Sequence, residues 1–215
     1  MEKEKTDKRD HILDVAERVF SEHGFDGAST RLISGEAGVN MAMLNYYFGS
    51  KEGLLLSLFE RRTSTFHSLI QGIGNNENMS SWQKVSEYVE AYINRVFSNN
   101  CFQKVVHQEL AVRRTGELAD KITDMIMQNV IEFRKILHEG IERGEFKNDI
   151  DTEMVVATVF GVKAQIVNAS HISSLMLGYD TQDPQNMVDK LKPRVTDYLK
   201  KLLKAYLLTE HDNAK

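Results

Sequence analysis

Cysteine and proline are nearly missing from this chain. One cysteine, Cys101, stands among 215 residues, so no internal disulfide can form and a reducing cytoplasm is the expected compartment. Two prolines leave room for long helices without a break. There is no run of about 18 apolar residues, the length a membrane-spanning helix needs, so no membrane partner is expected. The opening MEKEKTDKRD is charged throughout and does not read as a secretory signal. Basic charge is not in excess either: 27 Lys and Arg against 31 Asp and Glu give a net charge of −4. A nucleic-acid site, if the chain has one, must be local.

Signatures of catalysis are also missing. No Gly-rich phosphate loop, H-E-x-x-H or G-x-S-x-G stretch occurs. His11, His23, His67, His107, His138, His171 and His211 are scattered without metal-ligand spacing. The expectation is no enzyme, no metal and no cofactor, although catalytic groups can be assembled in space from distant positions.

What the chain does have is helical periodicity. Ile12, Val15, Ala16, Val19 and Phe20 recur at helix spacing before Gly24. Ser29 or Thr30 can cap a short second helix ending near Ala37-Gly38, and Asn40 can cap a third from Met41 to about Tyr47. Gly49 breaks the third, and a longer fourth helix starts at Ser50 and reaches about Ile73. Further helices are expected over about 81–99, 102–114, 117–143, 152–177 and 185–208, with the glycine- and asparagine-rich stretch 72–81 as the best break. No alternating β-branched run appears, so the expected fold is all-α with about nine helices.

Two short helices joined by the tight turn AGVN, after a longer first helix, have the pattern of a helix-turn-helix. Leu44 and Phe48 are four apart and apolar, so they share the inward side of the third helix. Met41, Ala42, Asn45 and Tyr46 are then left outside. An amide can pair with adenine, and small apolar groups can touch a thymine methyl. Tyrosine hydroxyls, Lys51 and Thr30 suit phosphate oxygens. Read alone, Tyr47 fits equally well as core with its hydroxyl at the surface, and Lys51 as a solvated surface lysine.

The stretch STRLISGEAGVNMAMLNYYFGSKEGLL closely resembles the DNA-binding signature of the TetR/AcrR family of bacterial transcriptional regulators. Thr30, Ile33, Ala37-Gly38-Val39, Leu44, Tyr47-Phe48, Ser50-Lys51-Glu52 and Leu54 or Leu55 carry the match, and Ala16, Phe20 and Gly24-Phe25 extend it upstream. The resemblance implies a helix-turn-helix domain over 1–52 and a ligand-binding and dimerisation domain over 53–215. It implies that Met41, Ala42 and Asn45 face base edges, that Tyr46, Tyr47, Thr30 and Lys51 contact the backbone, and that Asn40 stands with them at the start of the reading helix. The family often has Tyr where this chain has Asn45, and Ser or Thr near Asn40, so operator sequence cannot be carried over.

The same resemblance implies a palindromic double-stranded DNA operator, an unknown small-molecule effector, a homodimer and, in the family's commoner mode, repression. Dimer contacts are expected from Val155, Val159, Val162 and Ile166 of one late helix and from Leu191, Val195, Tyr198, Leu199 and Leu202 of the last. The alternative is that these stripes pack inside one chain. Candidate pocket residues are Phe97, Cys101, Phe102, His107, Met125, Phe133, Gln165 and His171, each of which reads equally as core or surface. Cys101 reads as a redox sensor or as an inert buried thiol. A rival reading of the whole is a helical protein-interaction module that keeps a helix-turn-helix for packing.

Overall fold

The computed structural model describes residues 2–98, 100–112 and 116–208. Among these residues every regular element is a helix: α1 (Glu2–Gly27), α2 (Thr30–Glu36), α3 (Met41–Phe48), α4 (Lys51–Gly74), α5 (Ser81–Ser98), α6 (Asn100–Val112), α7 (Glu117–Glu142), α8 (Thr152–Asn168), α9 (Ser170–Leu177), α10 (Pro184–Asn186) and α11 (Lys192–Leu207). A π-helical turn, Met187–Leu191, joins α10 to α11. No single described helix is long and apolar enough to cross a membrane.

Two late helices depart from the sequence expectation. The helix expected over 152–177 is divided at Ala169 (φ −114°, ψ 46°), and the chain bends there by 91°. The Gln165 carbonyl accepts from Ala169 N (3.0 Å) and Ser173 Oγ (3.2 Å), so the backbone at the bend is satisfied. The last helix contains the π turn just ahead of Pro193. Proline has no N–H to give to the carbonyl four residues back, and the wider turn takes up the mismatch.

The chain divides into two units, residues 1–65 with 101–127 and residues 66–100 with 128–215. These contact units are drawn at other positions than the domain boundary at 52/53 that the resemblance implies. The first unit keeps α4 as far as Thr65 and takes back α6 and the start of α7. Phe102 of α6 lies edge-on to Phe59 of α4, with ring centroids 5.1 Å apart. Ile12, Phe20, Ile33, Leu44, Leu55 and Ile122 are buried in the same core. Charged pairs lock α4 to α1: Arg62 Nε donates to the buried carboxylate of Glu17 at 2.7 Å, and Arg61 reaches Asp14 at 2.6 Å. A buried carboxylate without such a partner would be expensive, so this pair specifies the packing as well as tolerating it.

The second unit is built around α5. Its buried face carries Val85, Tyr88, Val89, Tyr92, Ile93 and Val96, against which Phe133, Val159, Leu191, Leu199 and Leu203 pack. The Tyr88 and Phe133 rings stack with centroids 3.8 Å apart. Lys84 is buried too, and its ammonium is fully used: 2.6 Å to the Gly74 carbonyl and 2.8 and 2.9 Å to the two Glu139 oxygens.

Candidate nucleic-acid interface

The helix ends of the first unit are set by small polar residues and glycines. Ser29 is the N-cap of α2, its Oγ accepting from Leu32 N at 3.0 Å. Gly38 takes φ 65°, which lets Val39 N return to the Ser34 carbonyl at 3.0 Å and closes α2. Asn40 Oδ1 then caps α3 through Met43 N at 2.8 Å. Gly49, at φ 74°, ends α3, and Ser50 Oγ caps α4 through Gly53 N at 3.0 Å. In this way a turn of four residues, Ala37–Asn40, holds α3 against α2.

Leu44 and Phe48 of α3 are buried, as are Ile33 and Ser34 of α2. Met41, Ala42, Asn45 and Tyr46 are exposed, Tyr46 at 71% and Met41 at 46%. This eight-residue helix buries one face and presents two large apolar side chains, Met41 and Tyr46, on the other. Tyr47 is half-buried, with its ring edge-on to Tyr46 at 5.2 Å and tilted against Phe48 at 6.0 Å. It thus serves as a wall of the core and as a border to the exposed face. Thr30 is half-buried in the first turn of α2. Arg31, next to it and exposed, is a cation the sequence reading gave no role. Its position in the first turn of α2 was the available signal.

Lys51 is more committed than a surface lysine. Its Nζ donates to the Phe25 carbonyl at 2.9 Å and lies 4.3 Å from the centre of the Phe25 ring. It ties the start of α4 to the turn at Gly24. An ammonium has three N–H donors, so donors remain for a second acceptor.

The expected pocket residues are divided between the two units, Cys101, Phe102, His107 and Met125 in the first and Phe97, Phe133, Gln165 and His171 in the second. Phe102 and Met125 pack in the core of the first unit, and Phe97 and Phe133 in that of the second. Cys101 is half-buried, and His107 and His171 are exposed. Gln165 lines a cavity of about 540 Å³ in the second unit, bounded by α8, α9 and α11 and walled mainly by Val162, Ile166, Leu177, Leu191, Val195 and Tyr198.

Part of the expected dimer stripe requires correction. Val155, Val159, Leu191, Val195 and Leu199 are core residues of the second unit and have no surface to give a partner. Val162 and Ile166 are half-buried against the same core. Tyr198 and Leu202 are exposed, at 55% and 38%. Other exposed apolar side chains of this region include Met154 of α8, Ile172, Leu175 and Met176 of α9, Val188 of the π turn and Tyr206 of α11. The expected stripe therefore mixes the two faces of α11: Val195 and Leu199 point inward, and Tyr198 and Leu202 stay outside.

A short capped helix, held on a tight turn with a mixed amide, methyl and phenol face in solvent, defines the class: a helix-turn-helix nucleic-acid binder carrying a second helical unit. Comparison with known proteins specifies it. Residues 12–58 match the description "Bacterial regulatory proteins, tetR family", and residues 82–196 match "Tetracyclin repressor-like, C-terminal domain". The HTH-type transcriptional repressor AcnR of Corynebacterium glutamicum is 40% identical over 192 residues, covering 88% of this chain and 93% of that protein. The fatty acid metabolism regulator protein of Bacillus subtilis is 26% identical over 159 residues, covering 74% and 81%. Among solved structures, the fatty acid degradation regulator FadR of Bacillus halodurans aligns with a TM-score of 0.70 at 26% identity, covering 89% of this chain and 97% of that one. FadR of B. subtilis, solved in complex with stearoyl-CoA, aligns at 0.69 and 23% identity, covering 88% and 96%. The chain belongs to the TetR family of bacterial transcriptional regulators, and is a DNA-binding regulator with an N-terminal helix-turn-helix.

Proposed function

We propose that the chain is a repressor that binds a palindromic operator as a homodimer and leaves it when a small molecule occupies the second unit. The observation that carries the reading is the solvent-facing set Met41, Ala42, Asn45 and Tyr46 on a helix whose other face is locked by Leu44 and Phe48. Asn45 supplies the donor and acceptor that adenine matches in the major groove, and Ala42 and Met41 supply contacts for thymine methyls. Tyr46, Tyr47, Thr30, Arg31 and Lys51 surround them as hydroxyls and cations for phosphate oxygens. The repressor name of the C. glutamicum relative supports the sign of the effect.

Dimerisation supplies the second reading head. Two α3 helices about 34–36 Å apart would meet successive major grooves on one side of the duplex. The exposed Ile172, Leu175, Met176, Tyr198, Leu202 and Tyr206 form an apolar surface suited to a second copy. Helix α4 contributes residues to both units, and so carries the coupling between effector and operator, typically about 1–3 kcal/mol.

The test is selection of genomic fragments on the purified protein, followed by footprinting. A palindromic footprint with half-sites about one helical turn apart is expected. Recovery of a single asymmetric half-site, or no enrichment, would contradict the dimeric operator reading.

A further inference from the structure

Helices α8 and α9 meet at the 91° bend, and a cavity of about 540 Å³ lies in the corner between them, with α11 as its third side. Val162 and Ile166 line it from α8, Leu177 from α9, Leu191 from the π turn and Val195 from α11. Native interiors keep few voids larger than a water molecule, and an unfilled apolar void forfeits the contacts of its lining. A cavity of roughly 150 Å³ admits one benzene ring. The space here is several times larger and falls within the roughly 300–1,000 Å³ of small-molecule sites.

Polar contacts hold the corner in shape. Ser173 Oγ donates to the Gln165 carbonyl at 3.2 Å across the bend. Thr181 N donates to Ser174 Oγ at 3.0 Å, and Thr181 Oγ1 donates to the Ser170 carbonyl at 3.2 Å, so the loop after Gly178 clasps α9. These ties set the direction of α9 without filling the space beside it. Gly161 leaves that space wider still. It stands inside α8, where glycine weakens a helix relative to alanine. Its φ is not positive, and a Cβ added there would meet nothing within 4 Å among the described residues. At Gly53 and Gly140, by contrast, an added Cβ would run into the Phe48 carbonyl or the Phe146 ring. Gly161 and Gln165, four apart on one side of α8, both line the cavity.

Deepening the effector role proposed above and resting on it, we infer that this cavity takes the hydrocarbon body of an apolar organic effector, of the bulk of two or three rings. The aliphatic walls offer sugars, nucleotides and inorganic ions no match, and the Ser173 hydroxyl proton is already given to Gln165. A polar end of the ligand stays at the mouth, where Gln165, Arg194 and Tyr198 are exposed.

The experiment titrates N-phenyl-1-naphthylamine, an uncharged dye that brightens in apolar surroundings, into the full chain without DNA. Wild type is compared with Gly161→Ala, Gly161→Leu, Gln165→Phe and Leu175→Asp, with urea unfolding and sedimentation of each ligand-free protein alongside. Gly161→Leu and Gln165→Phe place bulk in the cavity from exposed positions, whereas Leu175 is exposed and lies outside its lining. Wild type, Gly161→Ala and Leu175→Asp are expected to bind the dye alike. Gly161→Leu and Gln165→Phe are expected to lose affinity about tenfold or more, while unfolding at the same urea concentration as wild type or a higher one. No binding by wild type, or full affinity in both filled variants, would overturn the inference. Loss of binding in Leu175→Asp would put the dye on the outer surface and overturn it as well. Filled variants that become monomers and keep the dye would give the cavity to a second copy, with the same consequence. The effector role is scored separately by repeating the wild-type titration with operator bound. Ligand and DNA that oppose each other do so reciprocally, so dye affinity should fall. Equal affinity with and without operator would support the site and overturn the effector reading it rests on.

Discussion

Lys51 Nζ donates to the carbonyl oxygen of Phe25 while sitting over the ring of the same residue. The lysine at the start of α4 therefore supports the first unit, besides the phosphate contact proposed for it. Lys51→Met is expected to cost about 1–2 kcal/mol of stability, from a charged hydrogen bond and a cation–π contact at a half-exposed site. It should also weaken binding to all DNA sequences alike and lower the salt slope by about one unit. Urea unfolding and binding at several salt concentrations separate the two effects. Unchanged stability would show that the Phe25 tie contributes nothing.

Gly53 offers a sharper test of the same corner. A Cβ added there would stand 2.1 Å from the Phe48 carbonyl oxygen, a backbone atom that cannot turn aside. Gly53→Ala is expected to destabilise the first unit by about 1–3 kcal/mol and to displace α3. Proteolysis and thermal unfolding report the first, and loss of operator binding the second. A variant as stable as wild type would mean that α3 and α4 can separate freely at Gly49.

These two residues also show what the sequence carried and what it did not. The capping residues Ser29 and Asn40, the turn at Gly38, and the inward pair Leu44 and Phe48 were legible because their spacing along the chain is the cause of the structure. The role of Gly53 was not, since its helical backbone is ordinary and only the nearby Phe48 carbonyl demands glycine. The bend at Ala169 was hidden for a related reason: no proline or glycine marks it. The return of α6 to the first unit was not predictable from local pattern, because Phe102 finds Phe59 across more than forty residues of chain. The dimer stripe mixed buried and exposed positions because α11 is apolar on more than one side, and periodicity alone does not say which side faces the chain's own core.

The outer side of α11 is where a partner copy should sit. Replacing Tyr198 and Leu202 together by Asp is expected to give a folded monomer by sedimentation, since both side chains are already in solvent. Leu199→Asp, one position away and fully buried, should instead unfold the second unit. A double variant that stays dimeric would move the interface off α11.

Lys163 gives the second unit a pH signature. Its amine is held at about 8 in the folded chain, below the ordinary 10.5. Between these values the unfolded chain binds a proton that the folded chain has released, so stability should rise as pH climbs from about 8 toward 10. Below about 8 the charged amine is carried at full cost. Arg95 is the charged group acting on it, and Tyr88 and Tyr92 stay protonated across this window. Urea midpoints measured from pH 7 to 10 should climb in wild type more than in Lys163→Met. Parallel profiles would place Lys163 in water.

Fluorescence anisotropy of wild type and Asn45→Ala on a selected operator and on a scrambled duplex, each at two salt concentrations, tests most directly whether α3 reads DNA. The account predicts salt-sensitive binding that favours the operator in wild type. Asn45→Ala should lose about 1–3 kcal/mol of that preference while keeping the salt slope and the fold. Equal affinity of wild type for both duplexes, or an unchanged preference in Asn45→Ala, would contradict it and leave the exposed face of α3 to some other partner.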